Sequence, residues 1–497
     1  MKYFCSILLF FMVCSPLFSQ NKERFRATDE SLRRYEFPEW FRDAKFGIWA
    51  HWGPQAVPGE GDWYAKRMYE QGKRGYKVHI EKYGHPSEFG YKDILPLWKA
   101  EKWNPKELMK LFKRVGARYF VSMGIHHDNF ALWDSPTHRW NSVNIGPCRD
   151  VVGEWQRAAK KEGLKFGVSE HLAASFNWFQ TAHQSDCAGD KAGIPYDGND
   201  PRYQDLYHDK SAHGDNGWYT SDPKRQRIWL QRITELIDLY HPDLLYSDGR
   251  LPFGDIGREM LAYYYNQDFA RNKSSQVVYT AKKEPNDGRF AMDFERGVAK
   301  EISPYPWQTD TSIGDWFYRA ENKGYSTSKE IIQMLIDVVS KNGNLLLNVV
   351  QTPAGDIEQD VLSILEEIAS WMEINGSSIW ETRPWRLYGE GPSMQIEMVP
   401  DLYKAGGVKD IRRYLEGDLR FTQKEGKLYI FSMEKVQGDL LVRSLGKDSI
   451  TYRSVKRITL LGSSKRINFD QQNEFLRIEQ PVDVPAQPVL VYCVEFR

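Results

Sequence analysis

NPKELMKLFKRVGARYFVSMGIHHD, residues 104–128, contains two hydrophobic patterns in succession. Its first half spaces apolar residues as a helix does and closes on Gly116, where a C-terminal cap belongs. ARYFVSMG (117–124) is then a near-continuous apolar run of strand length, and it ends in His126, His127 and Asp128. A helix feeding a buried strand is the repeating unit of an α/β fold.

The same unit recurs on both sides. KFGIWA (45–50), LKFGVSE (164–170), DLLYS (243–247), SQVVYT (275–280) and GNLLLNVV (343–350) are the other candidate strands. Helical spacing returns in DVVGEWQRAAKKEG (150–163), capped by Gly163, and in PKRQRIWLQRITELIDLY (223–240). The latter aligns Trp229, Ile233, Leu236, Ile237 and Tyr240 on one face. Strand–helix alternation over some 300 residues implies a parallel sheet covered by helices. A doubly wound sheet and a (β/α)8 barrel both fit. No G-x-G-x-x-G follows an early strand and no Walker-type loop occurs, so the barrel is preferred.

After residue 380 the pattern changes. KLYIFSM (427–433), DLLVRSL (439–445), KRITLLG (456–462), FLRIEQ (475–480) and PVLVYCVEF (488–496) are short β-rich runs without intervening helices. They predict an antiparallel β-sandwich at 381–497, with the helix at 360–376 closing a catalytic barrel at 21–380. The stretch 180–222 is polar and loop-rich, an insertion after a strand.

The chain's 67 basic and 67 acidic residues cancel, which gives no electrostatic case for a nucleic-acid or anionic-membrane partner. Lys2 precedes FCSILLFFMVCSPLF, which ends at Ser19-Gln20. This pattern predicts a secretory signal at 1–20, removed on export to the periplasm or medium. It is short for a bilayer span, and no later segment is apolar enough for one. Val13 is bulkier than lipoprotein processing usually tolerates, which argues against an anchor at Cys14. Cys148, Cys187 and Cys493 are odd in number and widely spaced, giving neither a disulfide framework nor a zinc pattern. No metal or other cofactor is expected. The 17 Trp and 27 Tyr suit either core filling or stacking on sugar rings.

Function is indicated by where polar clusters fall. Strands run into His51-Trp52-Gly53-Pro54, His126-His127-Asp128, Glu170-His171 and Asp248. In a barrel the C-terminal ends of all strands gather at one face, where active sites form. Asp248-Gly249 alone is plain turn chemistry, but at that face Asp248 is one half of a carboxylate pair suited to glycoside hydrolysis. Acids after it include Asp255, Glu259, Glu284, Asp287, Asp293, Glu295 and Glu301, and physical reasoning alone does not choose among them.

Across essentially the whole mature chain the sequence resembles glycoside hydrolase family 29, the retaining α-L-fucosidases. The matching stretches include WFRDAKFGIWAHWGP (40–54), DWY (62–64), GARYFVSMGIHHDNFALW (116–133), RDVVGE (149–154) and LLYSDG (244–249). WQTDTSIGDWFY (307–318), GNLLLNVVQTPAG (343–355) and YGEGP (388–392) complete the series. The resemblance implies Asp248 as nucleophile and His51, His126 and His127 as fucose-hydroxyl ligands. Asp62 stands where relatives often carry a glutamate that contacts the sugar, and Trp63 follows it. Tyr246 replaces a tryptophan beside the nucleophile, His171 sits where relatives place an aromatic, and Trp316 matches a pocket aromatic. The segment Asp293-Phe294-Glu295-Arg296-Gly297 occupies the acid/base region, which implies Glu295 as acid/base; the adjacent Arg296 cation works against the protonated form that an acid catalyst needs. Trp316 or Phe294 would face the sugar's methyl group.

These residues together predict an exo-acting α-L-fucosidase that removes terminal fucosyl units from oligosaccharides or glycoconjugates by double displacement. The alternatives are an α-L-galactosidase on the same scaffold, a catalytically inactive glycan-binding protein, and a metal-dependent hydrolase using His51, His126 and His127.

Overall fold

The computed structural model describes residues 24–212, 214–395, 414–481 and 486–497; the expected signal segment, residues 1–20, lies outside them. Eight parallel strands close into a barrel: β1 (Phe46–Ala50), β2 (Tyr119–Ile125), β3 (Lys165–Glu170), β4 (Leu244–Ser247), β5 (Val278–Lys282), β6 (Ala291–Asp293), β7 (Trp307–Ser312) and β8 (Gly343–Asn348). Hydrogen bonding between β1 and β8, with Phe46 opposite Leu345, completes the ring. The expected (β/α)8 barrel is therefore the fold. Among the described residues no helix is long and apolar enough to cross a membrane.

Helices flank the strands where the apolar spacing requires them. Pro105–Val115 begins at Asn104, whose side chain accepts from the backbone of Glu107, and stops at Gly116 in the left-handed region. Pro223–Tyr240 buries the expected stripe of Trp229, Ile233, Leu236, Ile237 and Tyr240, and also buries Arg232.

Strand alternation divides the core in two. Trp49, Tyr119, Val121, Leu244, Tyr246, Val278, Ala291 and Leu346 fill the barrel interior as one cluster. The outward residues of the same strands, such as Ile48, Phe120, Phe166, Val168 and Leu245, join a larger core under the helices. Gly47 makes the interior possible: a Cβ there would stand 2.3 Å from the Tyr119 ring.

Two barrel strands depart from the sequence expectation. β6 is only three residues long, and β7 is WQTDTS, with Gln308, Thr309, Asp310 and Thr311 all fully buried. Neither shows the apolar run that marks a buried strand, because the interior on this side is polar.

Beyond residue 380 lie a five-stranded and a three-stranded antiparallel sheet, as the sandwich expectation requires. The larger sheet contains Leu419–Lys424, Lys427–Ser432 and Leu490–Phe496, flanked by Arg383–Glu390 and Val455–Leu460. Alternation gives it two apolar faces. Tyr429, Phe431 and Val491 join the barrel's core, whereas Leu428, Ile430 and Val494 pack with Leu440, Val442, Leu476 and Ile478 of the small sheet.

The junction with the barrel is fixed by polar anchors. Trp371 donates its Nε1 to the carbonyl of Val489 at 2.9 Å, and Gln333 donates to that of Met433 at 2.6 Å. Asp337, on the helix Ser328–Ser340, receives Arg420 Nε at 2.5 Å and Lys341 Nζ at 2.7 Å, all three groups being buried. Asp337 holds both of these buried cations, so Asp337→Ala should lower the unfolding free energy by about 3–5 kcal/mol. Urea denaturation checks this; a loss under about 1 kcal/mol would mean that the cations reach water or other acids.

Candidate active site

A cleft of about 550 Å3 opens at the C-terminal ends of the strands. All ten residues expected from sequence line it: His51, Asp62, Trp63, His126, His127, His171, Tyr246, Asp248, Glu295 and Trp316. Phe294, offered as a wall for the sugar's methyl group, instead turns outward and packs edge-on against Trp307, with ring centres 5.1 Å apart. Period-two alternation explains this: Asp293 and Glu295 take the inner side, and the residue between them faces away.

The four histidines come from three strand ends. His51 follows β1, and its backbone N–H donates to Asn348 Oδ1 at 2.9 Å. The Asn348 amide in turn donates to Ser312 Oγ and to the carbonyl of Trp316, both at 2.9 Å, so one side chain ties β1, β7 and β8 together at the pocket. His126 and His127 both reach the cleft because the chain has left β2 and its pleat at Ile125. Gln55 Oε1 accepts from the Ala65 amide at 3.3 Å, which orients the Gln55 amide to donate to His126 Nδ1 at 2.7 Å. His126 Nε2 therefore carries the proton and points toward Asp62 Oδ1, 3.7 Å away. His127 Nδ1 donates to the His171 carbonyl at 2.8 Å, leaving Nε2 3.4 Å from Asp248 Oδ2. His171 Nδ1 lies 3.6 Å from the same oxygen, and both of its ring nitrogens are buried without a hydrogen bond, as is His51 Nδ1. Burial keeps the rings neutral: His51 is pushed down to about 3, and His126 and His171 lie well below the usual histidine range.

Asp62 accepts from the Trp63 amide at 2.9 Å. Burial, then the charge of Asp315, lifts its carboxyl well above the ordinary aspartate range. Glu170, which sits next to His171 in sequence, points outward instead. It accepts from Ser247 Oγ at 2.5 Å, from the Leu172 amide at 2.9 Å and from Trp229 Nε1 at 3.2 Å, holding a helix start and two strand ends.

At the centre stands a residue not expected from sequence. Lys282, the last residue of β5, donates to Asp248 Oδ1 at 2.8 Å and to Glu295 Oε2 at 3.0 Å, and lies 3.2 Å from Asp310 Oδ2. Its side chain is 6% exposed. Burial alone would strip its proton, but Asp248 and Asp310 hold it well above the usual lysine value. Burial likewise opposes charge on Asp248, yet Lys282, His171 and His127 more than offset it and keep that carboxyl well below its usual range. The candidate strand SQVVYT ended two residues short of Lys282. The sole sequence signal was a lysine continuing that run.

Asp310 was missed with its strand. Tyr246 donates to Asp310 Oδ2 at 3.0 Å and stands 3.3 Å from Asp248 Oδ1. Below them Gln308 donates to Asp293 Oδ2 at 2.6 Å and accepts from Tyr119 at 2.9 Å. Burial and the charge of Asp310 raise the Asp293 carboxyl well above the carboxylate range. A polar column thus descends from the cleft into the barrel.

Aromatic walls complete the cleft. Trp49 lies on its floor, with its ring centre 5.1 Å from that of Tyr246 and 5.5 Å from that of Trp316. The Arg296 guanidinium sits 4.6 Å from the Trp316 ring centre. Trp218 and Tyr219, from the loop-rich insertion, form the outer rim. Among the described residues two sets of side chains could hold a metal: His51, His126 and His171 bring ligand atoms within 4.8 Å of one another, as do His127, His171 and Asp248. The adjacent His126 and His127 fall in different sets.

The arrangement of two carboxyls, a shared cation, neutral imidazoles and aromatic walls suits a small polyhydroxylated ring. The comparisons agree. Residues 13–377 match the family model described as α-L-fucosidase. The human plasma α-L-fucosidase is 29% identical over 86% of this chain and 85% of its own length, and the rat tissue enzyme is 29% identical over 72% and 73%. The fold superposes on Thermotoga maritima α-fucosidase in complex with a mechanism-based inhibitor with a TM-score of 0.72, at 26% identity, covering 95% of this chain and all of that one. The chain belongs to the α-L-fucosidase family, glycoside hydrolase family 29.

Proposed function

We propose that the protein is an exported, exo-acting α-L-fucosidase that cleaves terminal α-L-fucosyl units from glycans with retention of configuration. One observation carries the reading. Asp248 and Glu295 bind the same lysine nitrogen at 2.8 and 3.0 Å, so the bonded oxygens are at most about 6 Å apart, near the roughly 5–5.5 Å of retaining glycosidases and short of the roughly 6.5–9.5 Å of inverting ones. The named activities of the human, rat and Thermotoga relatives support the sugar, and the apolar stretch within residues 1–20 supports export.

In the first step Asp248 attacks the anomeric carbon through Oδ2, the oxygen that Lys282 and Tyr246 leave unengaged. Glu295 gives its proton to the leaving oxygen. Asp248 loses its charge to the new ester as Glu295 gains one, so the number of negative charges around Lys282 is unchanged. Glu295 then takes a proton from water as that water attacks the anomeric carbon, which breaks the bond to Asp248, releases its carboxylate and leaves Glu295 protonated again. Neutral His51, His126 and His171, with Asp62, offer donors and acceptors to the sugar hydroxyls, while Trp49 and Trp316 form apolar walls.

Asp248→Gly should abolish hydrolysis and regain turnover with azide, giving β-fucosyl azide; Glu295→Ala with azide should give the α product. Unchanged hydrolysis in Asp248→Gly would sink the assignment. The histidine sets favour a second reading, a metal-dependent hydrolase, under which EDTA abolishes activity; retained activity after chelation is the outcome expected here.

Lys282→Met should lower kcat by about 10²- to 10³-fold. Loss of the cation raises the Asp248 pKa, so the ionised nucleophile disappears at higher pH, and the acid limb of the kcat/KM profile should move up by roughly 1–3 pH units. An unmoved limb would show that Lys282 does not set the charge of Asp248.

A further inference from the structure

Trp218 is 44% exposed, yet nothing about its setting is loose. Asp215 braces the loop that carries it, accepting from Thr220 Oγ1 at 2.5 Å, Asn177 Nδ2 at 3.0 Å and the Ser221 amide at 3.1 Å. The next residue, Tyr219, donates to the Arg250 carbonyl at 2.9 Å, with the Asp248 carbonyl 3.4 Å away. Gly249 lets the loop lie this close. It has φ +112°, and a Cβ there would meet the Tyr219 hydroxyl at 2.4 Å and Trp218 Nε1 at 3.4 Å. The indole is thus fastened beside the nucleophile's own turn.

Its ring is also held from within the cleft. Trp63 lies nearly parallel to it, with centres 6.0 Å apart and planes 21° apart, and His127 meets it edge to face at 5.2 Å. Arg250 and Lys283, both exposed, line the same mouth, where the Glu295 side chain is 45% exposed. An indole held rigidly at the mouth of a cleft, one face packed and the other in water, has the form of a stacking surface for a ring entering that cleft. Glu295, which shares Lys282 with the deeper Asp248, stands at this mouth, so the group leaving toward Glu295 must pass over the rim.

We propose that Trp218 is the binding platform for the sugar unit from which the fucosyl residue is removed. That unit is a hexopyranose whose uninterrupted C–H face stacks on the exposed indole, with Arg250 and Lys283 donating hydrogen bonds to its hydroxyls. This inference rests on the fucosidase reading of the cleft. Binding energy gathered from a non-reacting unit is expressed in turnover as well as in affinity, so losing the platform costs substrates that carry such a unit more than those that lack it.

The test compares α-L-fucosyl fluoride, whose leaving group has no ring, with fucosylated galactose and N-acetylglucosamine disaccharides. In Trp218→Ala, kcat/KM for the disaccharide that the wild type cleaves fastest should fall about 10- to 100-fold further than kcat/KM for the fluoride, with partial recovery of that difference in Trp218→Phe. Equal losses on fluoride and disaccharide, or no loss on the disaccharide, would overturn the platform. Wild-type protein that leaves both fluoride and disaccharides uncut would overturn the fucosidase reading itself, so the two failures are told apart.

Discussion

A buried ammonium needs acids around it, and Lys282 has three. Without them desolvation would cost it its proton, and with them it holds Asp248 and Glu295 to one nitrogen and keeps Asp248 well below the usual carboxylate range. The requirement spreads downward. Asp310 sits under the lysine, burial and the charge of Asp310 push the Asp293 carboxyl up, and Gln308, itself held by Tyr119, donates to Asp293 from below. One side of the barrel interior therefore gives up apolar filling, and Trp49, Tyr119, Leu244 and Tyr246 pack the remainder.

The histidines beside it are set on a different principle. Burial keeps His51, His126 and His171 neutral, so His171 offers both ring nitrogens, His51 its Nδ1, and His126, whose Nδ1 is held by Gln55, a donor at Nε2. A hydroxyl both donates and accepts, so it can pair with any of them. Neutral histidines set against a charged carboxylate–lysine cluster suit a substrate whose hydroxyls adjoin its reacting carbon.

Much of this was legible in the sequence, for reasons that differ by element. β1 to β5 and β8 show apolar runs because both of their faces pack on apolar groups, and the ten site residues stood out as polar endings on such runs or through the family resemblance. β6 and β7 were illegible for the reason that makes the site work: their inner faces serve the polar column, so Asp310 sits in a segment that reads as a loop. Lys282 was lost to a strand boundary misplaced by two residues. Trp218 and Tyr219 lie in a loop, where no period exists to show which way a side chain points; only the hydrogen bonds of Asp215 and the bare Cα of Gly249 reveal it.

Asn348 joins the first barrel strand to the last. Its carbonyl oxygen holds the backbone of His51, and its amide holds Ser312 and Trp316, residues separated by some 260 positions from the first. The sugar pocket is therefore not a surface that forms early and is later supported. During synthesis the chain makes His51 long before it makes its partner, and the cleft exists only once the eighth strand has seated against the first. Ring closure and the acquisition of a functional pocket are one event, and a chain that stalls, is clipped or opens at that seam loses its chemistry while keeping most of its helices and strands.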